Sequence, residues 1–161
     1  EKRRLPVLYR KLLIAETLSS QAPLQAYMGY EQQVLSDYQD LKKKLKFNVL
    51  AKEVRSKAFA NPLRKILAQE GFITSGQQRH LKIQLVVSES LSQSHGFYIG
   101  RYEIVLKVFD GRIQVGGNQF FIKGQGVQNY LAAQSQAIKK FNGIVSSGDL
   151  WGVLGLKNQL N

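Results

Sequence analysis

The sequence predicts an α+β domain: an antiparallel sheet of three to four strands covered by two helices and preceded by an N-terminal helical extension. Three observations lead there. Hydrophobic spacing is helical up to Gly71 and alternates beyond it. Asp110-Gly111 stands between two alternating runs and is the strongest hairpin-turn signal in the chain. Gly124-Gln125-Gly126 then leads from the last alternating run into an amphipathic pattern ending near Phe141. The corresponding division is 1–47 for the extension, 48–145 for the α+β domain and 146–161 for an apolar C-terminal tail.

In the extension, Leu5, Leu8, Leu12 and Ala15 predict a short helix beginning at Pro6, and Pro23 breaks the chain after it. From Leu24 to Lys46 a longer helix carries Tyr27, Val34, Tyr38, Leu41 and Leu45 on one stripe. Its outer face has Glu31, Asp37 and Asp40 early and Lys42, Lys43, Lys44 and Lys46 late, an order that complements the helix dipole. Phe47-Asn48 reads as a joint. Leu50, Val54 and Ala58 resume helical spacing toward Glu70, as one kinked helix or as two with Asn61-Pro62 restarting the second.

Past Gly71, Phe72-Ile73-Thr74 predicts a short strand, and Leu81, Ile83, Leu85 and Val87 predict a half-buried one. The polar run Ser88 to Gly96 predicts a long loop. Tyr98 to Val108 alternates again, Asp110-Gly111 turns the chain so that Phe109 faces Arg112, and Gly116-Gly117-Asn118 marks a bulge or a second turn. The last helix, Val127 to Phe141, has its inner stripe marked by Val127, Tyr130/Leu131, Gln134, Ala137/Ile138, Phe141 and, beyond it, Val145, with Lys139 and Lys140 on the outer face. The tail from Leu150 to Leu156 either packs on the domain or docks a partner.

The chain has 161 residues and no cysteine, which excludes disulfides, thiolate metal sites and cysteine nucleophiles. No apolar run is long enough to span a membrane as a helix. Glu1-Lys2-Arg3-Arg4-Leu5-Pro6 has neither an initiator Met nor a signal-peptide core, which predicts a processed or trimmed chain. A net charge of +12 favours anionic partners: nucleic acid, anionic lipid headgroups or an acidic protein surface. The excess is spread along the chain, with 14 basic against 7 acidic residues in 1–70 and 9 against 4 in 71–161.

No catalytic, metal or cofactor residues are predicted. His80 and His95 have no carboxylate pair at useful spacing, and Ser94-His95 is a dipeptide, not a nucleophile and base converging from separate elements. Gly124-Gln125-Gly126 lacks the third glycine of a dinucleotide loop and the Lys-Ser/Thr of a P-loop, leaving a junction between strand and helix. The expectation is a protein without enzymatic activity.

Two resemblances bear on function. The order of helix, three antiparallel strands and helix, with Gly-x-Gly before the last helix, resembles the double-stranded RNA binding domain, which implies a nucleic-acid partner and a cytoplasmic location. That family places basic residues just after the glycines, where this chain has Val127-Gln128-Asn129-Tyr130. Residues 56–142, with Ala58-Phe59, Leu63, Leu67, Gly71-Phe72, Lys123-Gly124-Gln125-Gly126, Ala133 and Ala137, resemble the small α/β modules of bacterial envelope lipoproteins associated with curli secretion, flagellar basal structures and peptidoglycan-synthase activation. The family's lipid-bearing cysteine has no counterpart here. This resemblance implies a periplasmic or outer-membrane-associated scaffolding part that binds other envelope proteins or copies of itself. The candidate partner-binding residues are Lys42, Lys43, Lys44 and Lys46 for an acidic surface, and Leu150, Trp151, Val153 and Leu154 for protein docking.

Overall fold

The computed structural model describes residues 32, 33, 36, 37, 39, 40, 46–72, 74 and 81–156. Its elements run β1 (Phe47–Leu50), α1 (Val54–Gln69), β2 (Leu81–Ser94), β3 (Phe97–Asp110), β4 (Ile113–Gly126), α2 (Tyr130–Ser147) and the single turn α3 (Leu150–Val153). The sheet order is β1-β2-β3-β4. β1 lies parallel to β2, and the other two pairings are antiparallel. The fold is therefore α+β with a mixed, mostly antiparallel sheet. The helix expected over 6–18 lies outside the described residues, as do 41–45 and 157–161; of the longer helix, positions 32, 33, 36, 37, 39 and 40 are helical.

Several elements differ from their sequence expectation. Phe47–Leu50 is a strand, not a joint: Phe47 and Val49 are buried while Asn48 and Leu50 are half-buried, a two-residue period hidden by the helical spacing that follows. α1 is one helix with Pro62 inside it. Pro62 has no N–H for the carbonyl four residues back, but it is buried on the packed face and Asn61 does not restart the helix. Phe72 is not a strand residue. Its N–H bonds the Leu67 carbonyl at 2.9 Å and the Gly71 N–H bonds that of Ala68 at 3.0 Å, a Schellman closure permitted by φ +82° at Gly71.

The largest difference lies at Ser88 to Gly96, where β2 continues to Ser94 and turns through His95 and Gly96, with φ 49° and 77°. Two positive φ values define a type I′ hairpin. Composition concealed the strand because Ser88, Ser90, Ser92 and Ser94 occupy the solvent face. The β3–β4 turn is shifted by one residue: Asp110 pairs with Ile113, and Gly111 at φ +62° with Arg112 forms the connection. Gly116-Gly117-Asn118 is neither a turn nor the bulge itself: all three pair in register, and the bulge lies one residue earlier. Val108 pairs with Gly116 and Phe109 with Gln114, so Val115 is the extra residue.

The core fills the space between one sheet face and the helices. Ile83, Leu85, Val87, Tyr102, Ile104, Leu106 and Val108 meet Phe59, Leu63 and Leu67 of α1 and Ala137, Phe141 and Val145 of α2. Ring contacts link the layers: Phe59 lies 5.3 Å from Tyr102 and 6.0 Å from Phe141, and Phe72 lies 5.0 Å from Phe47 and 5.8 Å from Trp151. α2 begins at Tyr130, so Val127 lies ahead of it and is exposed, and with Ala133, Ala137, Phe141 and Val145 as the inner stripe Leu131 is exposed as well. Glycine sets how close this helix lies to the strand. A Cβ on Gly124 would overlap the Ala133 carbonyl, and one on Gly126 would stand 2.7 Å from the Ala133 nitrogen. The helix backbone rests on the strand backbone, and alanine is the side chain that fits between.

Candidate interaction surface

The sheet outruns its cover at the β2–β3 turn. On the inner face the rung of Leu91 continues through Gly100 and Gly124, so two of its three positions have no side chain. The result is a groove of about 370 Å³ between the first turns of α1 and α2, lined by Val54, Ala58, Leu91, Tyr130, Leu131 and Gln134. Three of its apolar residues face solvent: Val54 is 82 % exposed, Leu131 68 % and Leu91 43 %. Tyr130 is held upright by an edge contact with Tyr98, ring centres 4.9 Å apart. Asn129 fixes the start of α2 by accepting the Ala132 N–H at 2.9 Å.

At the base of the groove Arg55 Nε meets Glu89 Oε1 at 2.6 Å. Glu89 is largely shielded and Arg55 half-exposed, so the pair neutralises a carboxylate that the groove would otherwise leave poorly solvated. Beneath them lies Tyr102. Burial pushes its phenol pKa up, the Glu89 carboxylate pushes the same way, and Arg55 opposes them. The phenol is therefore a neutral part of the floor. Among the described residues no group of three or more His, Cys, Asp or Glu side chains could hold a metal ion.

The two long edges of the sheet are finished differently. Along β4 three outward backbone groups are met by side chains: Asn118 Oδ1 accepts the Gln119 N–H at 2.8 Å, Lys140 Nζ donates to the Lys123 carbonyl at 2.7 Å, and Gln136 Oε1 accepts the Gln125 N–H at 2.7 Å. Gly155 packs directly on the Gly117 carbonyl. Along β2, β1 covers Leu81 to Gln84, and Ser56 Oγ then accepts the Val87 N–H at 3.2 Å. The β2–β3 register is unbroken from Lys82 to Ser94. By the alternation of an antiparallel ladder, Glu89, Leu91 and Gln93 therefore also turn their N–H and C=O groups away from β3. Among the described residues nothing meets them.

The opposite sheet face carries a second depression of about 390 Å³ around Phe121, bordered by Arg101, Glu103 and Lys123. Phe121 is 75 % exposed. Glu103 accepts a hydrogen bond from Gln119, its diagonal neighbour across the strands.

The sequence-predicted contact residues fall elsewhere. Lys42, Lys43 and Lys44 lie outside the described residues. Lys46 is half-buried, and its carbonyl accepts the Leu81 N–H at 3.1 Å, so its backbone extends the β1–β2 pairing. Leu150, Trp151, Val153 and Leu154 are all buried. Of the two alternatives for the tail, packing is the one adopted: Asp149 caps α3 by accepting the Gly152 N–H at 3.0 Å, and Asn118 Nδ2 donates to the Gly152 carbonyl at 3.2 Å. A buried side chain offers a partner no surface, which corrects the docking expectation for these four. The groove residues were missed because Val54 and Leu131 satisfied helical spacing. The available signal was Leu91, a lone leucine at the alternation position of an otherwise polar run.

No protein-family profile matches the chain, and no curated protein matches it. Solved structures similar to it include bacterial lipoproteins. A lipoprotein of Caulobacter crescentus shares 15% identity, with 63% of this chain and 82% of that one covered and a TM-score of 0.47. The minor lipoprotein of Acinetobacter baumannii shares 11% over 66% and 89% of the two chains, with a TM-score of 0.49. A lipoprotein of Neisseria meningitidis shares 6% over 65% and 99%, with a TM-score of 0.44.

Proposed function

We propose that this chain is a non-enzymatic protein-binding module of a bacterial cell-envelope assembly, periplasmic or outer-membrane-associated, and that it takes a partner in the groove between α1 and α2. The observation that carries the binding reading is the ring of exposed Val54, Leu91 and Leu131 around the Arg55–Glu89 pair. Apolar side chains gathered at a concave surface lose free energy in water and regain it under a partner, at about 25 cal/mol per Å² covered. The polar groups at the base are occupied with each other, and this favours binding over chemistry. The envelope setting rests on the resemblance of residues 56–142 to envelope lipoprotein modules. The +12 charge favours a partner whose surface around the contact is acidic.

The test places a photo-crosslinking amino acid at Leu131 in the full-length protein, in its native cells, with Lys139 on the outer side of α2 as the control position. The expected result is fractionation with the envelope and a crosslink to an envelope protein from position 131 only. Equal crosslinking from both positions, or recovery in the cytoplasm, overturns the reading. Duplex RNA titrated at two salt concentrations supplies the other arm: tight binding that falls steeply with salt identifies a phosphate-binding module instead.

A further inference from the structure

We infer that the open half of β2, from Glu89 to Ser94, is a pairing edge for a second copy of this chain, which joins antiparallel and turns two four-stranded sheets into one. The first support is the contrast between the edges. Among the described residues β4 is met at Gln119, Lys123 and Gln125 by Asn118, Lys140 and Gln136 and packed at Gly117 by Gly155, which leaves only the Phe121 position between them uncovered, and β2 is covered as far as Val87 by β1 and Ser56. Unpaired edges recruit other strands, and proteins ordinarily blunt them with lysine, proline or cover. At Leu91 and Gln93 the chain applies none of these, and the one charge on the edge, Glu89, is paired with Arg55.

Self-complementarity selects the second copy as occupant. Two molecules of net charge +12 repel over most of their surface, but Ile83 to Gly100 contributes no lysine or arginine, and the two arginines that reach this stretch are engaged, Arg55 with Glu89 and Arg101 with Ser92. The segment is also complementary to itself. With the two-fold axis through Leu91, Leu91 faces Leu91 of the second copy, Glu89 faces Gln93 of the second copy, and Ser90 faces Ser92 of the second copy. No like charges stand opposite each other. The parity fits as well: Glu89, Leu91 and Gln93 carry the outward N–H and C=O groups, and this centring opposes outward groups to outward groups. Directly opposed residues project to the same side, so the two grooves would lie side by side on one face.

This inference deepens the binding reading of the same end of the sheet, but its readout is separate: a monomer that still crosslinks through Leu131 sinks the pairing alone, and a dimer with no crosslinked partner sinks the groove alone. The experiment is sedimentation of the 161-residue chain over a concentration series, with two variants. Gln93→Pro removes an outward N–H and leaves the bonds to β3 intact, and Leu91→Lys adds the missing edge charge. The expected result is a mass rising with concentration from 18.2 kDa toward twice that value, with self-association at least roughly tenfold weaker in both variants and circular dichroism unchanged. Phe121→Ser, on β4, should associate as the parent does. A parent that stays monomeric throughout, or variants that associate like it, overturn the inference.

Discussion

Tyr102 lies across Gly100, two residues back on the same face of β3: a Cβ at position 100 would stand 2.5 Å from the phenolic oxygen and 2.6 Å from a ring carbon. The glycine is the seat of the tyrosine, and the Tyr102 ring in turn supports Phe59 and the groove floor. Gly100→Ala should therefore destabilise the fold. The backbone-entropy gain of about 0.4–1 kcal/mol is outweighed by the cost of displacing a buried ring, roughly 1–3 kcal/mol. Urea unfolding with a lower midpoint and unchanged slope is expected, and an unshifted midpoint would show that the ring yields freely.

Tyr102 also predicts a pH effect. Its folded pKa is raised above the ordinary 10.0, by burial first and the Glu89 carboxylate second. The unfolded chain therefore releases the phenolic proton at lower pH than the folded one. The contribution is fully present below about pH 10 and is lost as pH climbs through the folded value. Tyr102→Phe should flatten the fall in stability above pH 10 relative to the parent, as read by thermal melts at stepped alkaline pH. Parallel curves for the two proteins would refute this.

At the junction of β4 and α2, Gly124→Ala meets backbone, not the end of a side chain. The added carbon overlaps the Ala133 carbonyl, so the helix must lift from the strand. The expected cost is about 3 kcal/mol, the upper end for overpacking. A chemical denaturation midpoint within error of the parent would contradict the close approach of helix and strand.

Ser56→Ala orphans the Val87 N–H, since the hydroxyl is its partner and both groups are shielded. A loss of about 1–3 kcal/mol is expected. Hydrogen exchange at the Val87 amide should accelerate at the same time. Unchanged protection there would mean that the hydroxyl is not what shields it.

Leu131→Lys separates binding from folding. The side chain touches solvent over most of its surface, so stability should move by no more than about 0.5 kcal/mol, while crosslinking of a partner from a probe at Val54 should be lost. A melting temperature well below the parent's would assign Leu131 a structural role instead.

Much of this architecture was legible in the residues, and the gaps have physical causes. Tyr98 to Val108 alternates strictly because one face is buried and the other wet, and Asp110-Gly111 announces a reversal, though the turn forms one residue later around Gly111. β1 is four residues long, too short for a period of two to stand out from the helical spacing beside it. The Ser-rich run conceals a strand because serine on an exposed sheet face and serine in a loop look alike in composition. The groove was illegible for a different reason. It arises where Gly100, Gly124 and Gly126 remove side chains from the floor, and their effect, a helix drawn in on its alanines with Leu131 turned outward, depends on backbone separation.

Two of the side chains that meet the β4 edge come from α2, which gives that helix a second duty. Lys140 and Gln136 occupy backbone groups of β4 while Ala133 and Ala137 occupy its face. A thermal fluctuation that peels α2 away would bare both at once, beside the exposed ring of Phe121. Resistance to fibrous aggregation under heat stress would then be governed by how fast this one helix detaches, so shelf life would follow the local opening rate of α2 more closely than the equilibrium stability of the whole domain.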